Sequence, residues 1–177
     1  QLRVLEIGCG SGSNLLELAS LGFDASQLVG NDLLPERAAA ARRQLPAATV
    51  LHEGDAMALP FEPDRFDIVY QSTVFTSLLD AGFRARLAER MWHWVRPGGG
   101  VLWYDFTVDN PRNPDVRGVP RAELSALFPH GRIDARRVTL APPISRRVVK
   151  IHPAMYTAFN TLPFLRTHLL CRIGKPR

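Results

Sequence analysis

The sequence predicts a doubly wound α/β fold, and three observations support this prediction. Short apolar runs alternate with segments of helical periodicity over residues 2–106, which is typical of a parallel sheet with helices on both faces. An apolar run, Leu2–Ile7, leads directly into a glycine turn, Gly8–Gly12. A helical pattern then begins at Ser13, so that a strand, a tight turn and a helix N-terminus follow one another. Because glycine lets a ligand approach the main chain, this junction suits an anionic or nucleotide-like group.

Strands and helices are predicted to alternate in the first part of the chain. The strands are Leu2–Ile7, Gln27–Asn31, Thr49–Glu53, Phe66–Gln71 and Val101–Phe106. The helices are Ser13–Leu21, Pro35–Gln44 and Ala81–Val95. The residues at the helix ends agree with these bounds, since Ser11 or Ser13 can cap the first helix and Gly22 can end it. Pro35 suits the first turn of the second helix, and the run Arg96–Gly100 is predicted to be the turn that ends the third.

The pattern is less regular after residue 106, where two Asn-Pro pairs mark a loop. The elements predicted there are a short helix Arg121–Leu127, a strand Ile133–Leu140, a helix Ser145–Thr161 and a last strand Arg166–Ile173. Pro142–Pro143 is expected to break the chain, and Pro153 interrupts the apolar pattern of the helix that follows. We therefore predict a single domain, residues 1–177, with a Rossmann-like, mostly parallel seven-stranded sheet that ends in an antiparallel hairpin.

The composition is that of an ordinary globular protein, with 46% hydrophobic and 22% charged residues. No apolar run approaches the roughly 20 residues that a membrane-spanning helix needs, so no membrane span is expected. Two cysteines, Cys9 and Cys171, are too few for a disulfide framework and lack metal-ligand spacing, which favours a cytoplasmic protein without a metal site. Because the chain begins without Met and directly on a strand that should be central, we expect further residues ahead of Gln1 in the natural protein.

Charge is distributed unevenly along the chain, whose net charge is +5. Residues 1–100 carry 9 Lys and Arg against 12 Asp and Glu, whereas residues 101–177 carry 13 against 5. A basic second half favours an anionic substrate. The alternative is an arginine-rich solvated surface, which also fits the scarcity of lysine in this chain.

Acidic side chains follow the second and third predicted strands, where open α/β sheets bind their ligands. Asp32 lies 20 residues after the last glycine of the turn and can accept hydrogen bonds from both hydroxyls of a ribose, or it can cap the next helix. Asp55 can accept a hydrogen bond from an exocyclic amine such as that of adenine, while the backbone N–H of Ala56 faces a ring nitrogen; the alternative is a plain turn residue. Leu33 or Met57 can sandwich the ring, and a core position explains Met57 nearly as well.

The glycine spacing separates two classes of nucleotide site. A dinucleotide-binding turn reads G-x-G-x-x-G, whereas this turn reads G-x-G-x-G and has an acidic residue, Glu6, ahead of it. The segment Glu6–Gly12 resembles motif I of the class I S-adenosylmethionine-dependent methyltransferases. Four later segments occur in the order and at the spacing of that family: Gly30–Glu36, Gly54–Phe61, Phe66–Val69 and Arg96–Gly99. The resemblance covers residues 2–106 well and the remainder in general plan only.

The resemblance implies an S-adenosyl-L-methionine-dependent methyltransferase, with S-adenosyl-L-homocysteine as product. The residues predicted to bind the cofactor are Glu6, Gly8, Cys9, Gly10, Gly12, Asp32, Leu33, Asp55, Ala56, Met57 and Gln71. By the resemblance, the three glycines would pass beneath the methionyl part, and Glu6 would contact that part directly or through water. Gln71 would lie beside the methionyl group and the sulfonium. Cys9 is interpreted as a small residue that fills space within the turn.

Methyl transfer to a hydroxyl requires a positioned nucleophile and a base that removes its proton. Asp105, at the end of the fifth predicted strand, is the predicted catalytic residue, and the alternative is a carboxylate that only caps the following loop. His93 and Tyr104 are further candidates, although a histidine late in a helix is more often a surface or packing residue. The N/D-P-P-Y/F/W motif of base-amino methyltransferases is absent, because Gln71–Phe75 stands in its place.

The predicted function is methyl transfer to an oxygen or nitrogen of a small molecule by in-line displacement. The acceptor pocket is predicted to be formed by residues 73–80, residues 105–118 and an insert, residues 141–165. Aromatic residues there suggest a partly apolar acceptor, and arginines could pair an acidic group: Phe75, Phe106, Phe159, Phe164, Arg112, Arg117, Arg146 and Arg147. The alternatives are an RNA or protein methyltransferase that uses the basic second half, although nucleic acid is not the expected partner, and a non-catalytic binding module.

Overall fold

The computed structural model describes residues 1–177 and contains one seven-stranded sheet. Its strands are β1 Val4–Ile7, β2 Leu28–Asp32, β3 Val50–Glu53, β4 Phe66–Ser72, β5 Val95–Phe106, β6 Arg132–Leu140 and β7 Arg166–Gly174. Its helices are α1 Ser13–Ser20, α2 Pro35–Gln44, α3 Ala81–Trp94, α4 Arg121–Leu127, α5 Pro142–Ile151 and α6 Ala154–Asn160. None of these helices combines the length and the apolar character that crossing a membrane requires.

The strand order is β3-β2-β1-β4-β5-β7-β6. Strands β1 to β5 pair in parallel, whereas β7 is antiparallel to both of its neighbours, β5 and β6. The predicted fold class is therefore confirmed, including the terminal antiparallel hairpin. The hairpin strands enter the sheet in reverse order, since β7 lies between β5 and β6.

The side chains of β1 divide between the two faces of the sheet, because successive side chains of a strand point in opposite directions. Leu5 belongs to the larger core cluster, which also contains Met91 of α3. Val4 belongs to a second cluster with Leu15 of α1 and Ala41 of α2. All four residues of β1 are buried, which explains why three of them are apolar and places the carboxyl end of the strand at the centre of the fold.

Helix α3 buries one face against the sheet and places an arginine on that face. Asp80 caps the helix by accepting a hydrogen bond from the N–H of Phe83. The buried positions recur at the three- and four-residue spacing of a helix: Arg84, Leu87, Ala88, Met91 and Trp94. The Arg84 side chain is fully buried, and its Nη1 atom lies 2.7 Å from Oε1 of Glu123 on α4. This ion pair joins two helices on the same side of the sheet.

The insert, residues 141–165, lies at the carboxyl edge of the sheet. Strands β5 and β6 run in the same direction, since each is antiparallel to β7. The end of β6 therefore meets the edge at which β1 leads into the glycine turn. The Ala141 N–H donates to the Leu165 carbonyl at 2.8 Å, which closes the base of the insert.

Two predictions about helix N-termini are wrong. Neither Ser11 nor Ser13 caps α1 with its side chain; the N-cap residue is Gly12, which has a φ of +86°. The pair Pro142–Pro143 does not break the chain but opens α5, because a helix tolerates proline in its first turn. The predicted helix Ser145–Thr161 is divided accordingly into α5 and α6, with Pro153 at the N-cap of α6.

The run Arg96–Gly100 is part of β5 rather than a free turn. Phe66 pairs with Val95 and Ile68 pairs with Gly100, so the register between β4 and β5 shifts across this run. Its backbone is held by the end of the chain, because the Gly98 N–H donates to the Lys175 carbonyl and the Lys175 N–H donates to the Gly99 carbonyl. A bulged strand end is thus stabilised by a segment about 75 residues away in sequence.

Candidate functional site

The glycine turn follows β1 and has the backbone conformation that requires glycine. Gly8, Gly10 and Gly12 all have positive φ, with values of +65°, +57° and +86°. A Cβ atom at Gly8 would lie 2.5 Å from Cγ2 of Val74, whereas a Cβ at Gly10 would meet no atom within 4 Å. The turn is therefore packed on one side and open at its centre, where a ligand can approach the main chain.

Asp32, at the end of β2, binds the turn directly. Its Oδ2 atom accepts a hydrogen bond of 2.8 Å from the Gly10 N–H, and its Oδ1 atom accepts one of 3.0 Å from the Leu34 N–H. The residue is buried. The carboxylate thus fixes the glycine turn and the residue that precedes α2 together. It does not cap the helix itself, since the N-cap residue is Leu34 and no side chain bonds to the first turn.

Glu6 lies in β1 ahead of the turn and is completely buried. Its Oε1 atom accepts a hydrogen bond of 2.7 Å from Nδ2 of Asn14, whereas its Oε2 atom is buried without a partner. Burial raises the pKa of Glu6 to about 7; the Asn14 bond opposes this rise and the Asp32 charge adds to it. The Glu6 carboxyl group is therefore partly protonated and partly ionised at neutral pH.

Cys9 is buried inside the turn, as expected of a residue that fills space. Burial, together with the charges of Glu6 and Asp32, raises the pKa of its thiol to about 12. The thiol is thus neutral and unreactive at physiological pH.

Asp55, Ala56 and Met57 follow β3 at the same edge of the sheet. Asp55 is exposed, and its Oδ1 atom accepts a hydrogen bond of 2.8 Å from the Met57 N–H at the start of a short 3₁₀ turn. Ala56 and Met57 are half-buried against the larger core cluster. Leu33, directly after β2, is 65% exposed. Since β2 and β3 are neighbours, the structure brings these residues to one side of the glycine turn.

Gln71 is completely buried at the end of β4, next to the end of β1. Its Oε1 atom accepts a hydrogen bond of 3.0 Å from the Val74 N–H, and its Nε2 atom donates to the Tyr104 carbonyl at 3.4 Å. The amide thus shapes the loop after β4, in which Thr73 has a left-handed φ of +57°. Its contact with a methionyl group stays a prediction.

Asp105 is buried near the end of β5, and its carboxylate accepts hydrogen bonds from two backbone N–H groups. The Thr76 N–H donates to Oδ2 at 3.2 Å, and the Phe106 N–H donates to Oδ1 at 3.1 Å. Burial raises the pKa of Asp105 to about 6, although these hydrogen bonds and the charge of Arg84 oppose the rise. The carboxylate thus holds the loop after β4 as well as the end of its own strand, which the capping alternative did not include, and the catalytic role stays a prediction.

The other candidate bases have different surroundings. His93 is exposed at the end of α3, and its carbonyl accepts a hydrogen bond from the N–H of Asp64, just before β4, so it lies at the opposite edge of the sheet. The Tyr104 hydroxyl lies 2.9 Å from Oγ1 of Thr139, and its ring stacks on His168 with centroids 5.1 Å apart. Tyr104 and His168 are therefore close to the cofactor edge, whereas His93 is not.

Two residues expected to line the acceptor pocket are engaged elsewhere. Phe75 is completely buried, with its ring centroid 4.5 Å from that of Trp103, so it is a core residue. Arg117 forms an ion pair with Glu123 and is not free to bind an acidic acceptor. Phe106 and Phe159 are half-buried and Phe164 is exposed.

Two asparagines contribute to the site that were not among the predicted site residues, although Asn31 lies within the segment Gly30–Glu36. Asn14, in the first turn of α1, holds Glu6, and Asn31 donates through Nδ2 to the Gly54 carbonyl at 2.9 Å. Asn31 thereby links the ends of β2 and β3. The sequence signal for such residues is a polar side chain at the end of a buried strand or directly after the glycine turn. Its hydrogen-bond partner must come from a ligand or from a neighbouring loop.

Comparison with known proteins agrees with this geometry. A family model described as a methyltransferase domain matches residues 4–99. The chain is similar to the demethylmenaquinone methyltransferases of Roseiflexus castenholzii (33% identity, 65% of this chain, 46% of that one) and Deinococcus radiodurans (32%, 72% and 50%). It thus spans about half the length of these curated relatives. A SAM-dependent methyltransferase structure from Methanosarcina mazei has the same fold, with a TM-score of 0.72 at 18% identity over 100% of this chain and 94% of that one.

Proposed function

The chain belongs to the class I S-adenosylmethionine-dependent methyltransferase family, and from that premise we propose that it transfers a methyl group from S-adenosyl-L-methionine to a small, lipophilic acceptor. The observation that carries the proposal is the buried carboxylate of Glu6 at the glycine turn. Its Oε2 atom has no partner within the protein. A buried acceptor without a partner is unfavourable, and a ligand that brings a donor or a cation would relieve it.

The residues at the turn fit this cofactor in charge and in shape. Glu6 and Asp32 are both acidic and both buried, so a pyrophosphate would add negative charge where two carboxylates already lie. A ligand with an ammonium group and a sulfonium supplies positive charge instead. The open space at Gly10 leaves room for it against the main chain.

When bound, S-adenosylmethionine supplies a methyl group on a positively charged sulfur, already activated for in-line displacement. In the proposed site Glu6 and the glycine turn bind its amino-acid part. Asp32 accepts hydrogen bonds from the ribose hydroxyls through the lone pairs that its bonds to Gly10 and Leu34 leave free. Asp55 and Ala56 bind the adenine, with the side chains of Leu33 and Met57 beside it and Cys9 filling the turn.

Gln71 and Asp105 act on the loop that follows β4 in this proposal. Gln71 binds the Val74 N–H and Asp105 binds the Thr76 N–H, so two buried side chains fix successive parts of the loop. The loop lies between the glycine turn and the end of β5, where an acceptor must approach the methyl group. Asp105 is accordingly proposed as a residue that positions this loop, and proton removal by Asp105 is the alternative.

The acceptor is proposed to be a lipophilic small molecule that receives the methyl group on an oxygen or a nitrogen. Two curated relatives are named demethylmenaquinone methyltransferases. A quinone of that kind is lipophilic, and its reduced quinol form carries hydroxyl oxygens that can receive a methyl group. The insert is proposed to line the acceptor pocket within a single methyltransferase domain, since it lies at the cofactor edge. The competing function is methylation of RNA or protein, which the basic second half favours.

Two measurements test this function. Isothermal titration should detect binding of S-adenosylmethionine and of S-adenosylhomocysteine; no heat and no thermal shift at millimolar ligand would rule out the cofactor. Methyl-tritiated cofactor should then label a demethylated naphthoquinol acceptor that is recovered in organic solvent. Label in total RNA or in protein would support the competing function instead. Cofactor binding without transfer to any of these acceptors would indicate a non-catalytic module.

The affinity for S-adenosylmethionine is expected to rise roughly tenfold between pH 5.5 and pH 7.5. The free protein holds Glu6 with a pKa of about 7, above its ordinary value, so the carboxyl is mostly protonated at the lower pH. A cationic ligand favours the ionised form, and binding below pH 7 must therefore release a proton. Titrations in buffers of different ionisation enthalpy measure this release. Glu6→Gln should remove the pH dependence, whereas Glu17→Gln, an exposed control on α1, should retain it.

A further inference from the structure

The last part of the chain carries more positive charge than the ion pairs of the fold neutralise. From residue 135 to residue 177 there are nine Lys and Arg and no Asp or Glu. Arg146, Arg147 and Lys150 lie on α5, where like charges three and four residues apart repel one another. None of them belongs to the five ion pairs of the structure. Three cations without counter-charges on one helix indicate an anionic partner.

Apolar side chains are exposed on the same insert. Val149 and Ile151 on α5 are 44% and 74% exposed, and Leu162 and Phe164, after α6, are 40% and 74% exposed. A surface that served only to keep the protein soluble, or to bind an anion from solution, would have polar side chains at these positions. Arginine and lysine combined with exposed aliphatic and aromatic residues are typical of segments that bind in the interface of a bilayer.

A shallow concavity of about 430 Å³ lies between α5 and α6. Its lining residues are Ser145, Arg146, Val149, Lys150 and Tyr156. Arg146 and Lys150 line it from successive turns of α5, and Tyr156 lines it from α6. This donor set suits a phosphodiester, with charge-assisted hydrogen bonds from two sides.

We propose that the insert docks the protein on a bilayer that contains anionic phospholipids. A lipid phosphate occupies the concavity beside Arg146 and Lys150, while Ile151 and Phe164 enter the interface. Because the insert and the glycine turn share one edge of the sheet, docking brings the cofactor site to the membrane surface. RNA fits this surface less well, since Val149, Ile151 and Leu162 offer it neither stacking nor hydrogen bonds. The inference concerns binding alone and does not depend on which acceptor is methylated.

Co-sedimentation with vesicles tests the docking surface. The protein should bind vesicles of phosphatidylcholine and phosphatidylglycerol (3:1) and bind pure phosphatidylcholine much more weakly, with an affinity that falls as salt rises. Arg146→Gln/Lys150→Gln should weaken binding roughly 30-fold, since two cations near an anionic surface are lost. Phe164→Ser should weaken it roughly tenfold by removing an exposed aromatic anchor.

Matched controls separate this site from general charge and hydrophobicity. Arg43→Gln/Arg86→Gln removes two exposed cations from other helices, and Leu21→Ser removes an apolar side chain that is 71% exposed at the end of α1. Both variants should retain vesicle binding, and all variants should bind S-adenosylhomocysteine like the parent protein. Equal binding to both vesicle types, no binding, or equal losses in controls and insert variants would overturn the proposal. So would binding of RNA with no binding of vesicles.

Discussion

Replacement of Arg84 by methionine is expected to lower the free energy of unfolding by about 3–5 kcal/mol. The Arg84 side chain on α3 is completely buried, and each of its three guanidinium nitrogens has a hydrogen-bond acceptor. Its Nε atom donates to the Leu78 carbonyl, its Nη1 atom to Glu123 and its Nη2 atom to the Arg117 carbonyl. Methionine fills part of the volume but leaves the Leu78 and Arg117 carbonyls without this donor, and it leaves Glu123 paired with Arg117 alone. Urea denaturation followed by tryptophan fluorescence measures the loss.

The control for this variant is Arg117→Met, because Arg117 pairs with the same Glu123 carboxylate from a side chain that is 43% exposed. Its replacement should cost about 0–1 kcal/mol, as is typical of exposed ion pairs. The double variant Glu123→Gln/Arg84→Met should lose less unfolding free energy than the two single variants together. Each single change leaves a charged partner unpaired or less well paired, whereas the double change removes both charges. An Arg84 variant as stable as the Arg117 variant would show that the buried pair does not stabilise the fold.

Replacement of Asp32 by alanine is expected to weaken S-adenosylmethionine binding by about 1.5–3 kcal/mol, which corresponds to roughly 10- to 150-fold in the dissociation constant. The proposed ribose contacts are lost, and so is the hydrogen bond that fixes the Gly10 N–H at the centre of the turn. Asp32→Asn keeps an acceptor oxygen and should lose less affinity. Isothermal titration with cofactor and product measures both variants.

A suitable control is Asp24→Ala, which removes a half-buried carboxylate ahead of β2 that caps only a 3₁₀ turn. Its affinity for the cofactor should match that of the parent protein. Circular dichroism establishes that each variant is folded before its affinity is interpreted. Unchanged cofactor affinity in folded Asp32→Ala would contradict the ribose assignment, whatever the acceptor turns out to be.

The parallel part of the sheet was predictable because its signals are local. Its first three strands are short runs that end at a glycine or at an acidic residue, and Pro35 marks the start of α2 in the turn where a helix tolerates proline. The end of each strand then followed, and with it the positions of Asp32, Asp55 and Gln71. Hydrophobic periodicity, together with the residues that end strands and start helices, was sufficient to predict these strand ends.

The remaining features depend on contacts between distant segments. Asp105 binds the Thr76 N–H 29 residues away, and Phe75 packs on Trp103 rather than in a pocket. Neither partner could be identified without the register of β4 against β5. The run Arg96–Gly100 has the composition of a turn, yet Lys175 draws it into a strand end. The composition of a segment indicates the conformation that it prefers in isolation. Here hydrogen bonds to a distant segment outweigh that preference.

The position of β7 between β5 and β6 also constrains the order in which the chain can fold during synthesis. Strands β1 to β5 can pair as soon as residue 106 has left the ribosome, but β6 pairs with β7 alone. Until the last segment emerges, β6 has no neighbour and β5 has an uncovered edge, which is a site for pairing with other chains. A nascent chain stalled shortly before residue 166 should therefore be the species most dependent on chaperones, although its glycine turn and its first five strands are already complete.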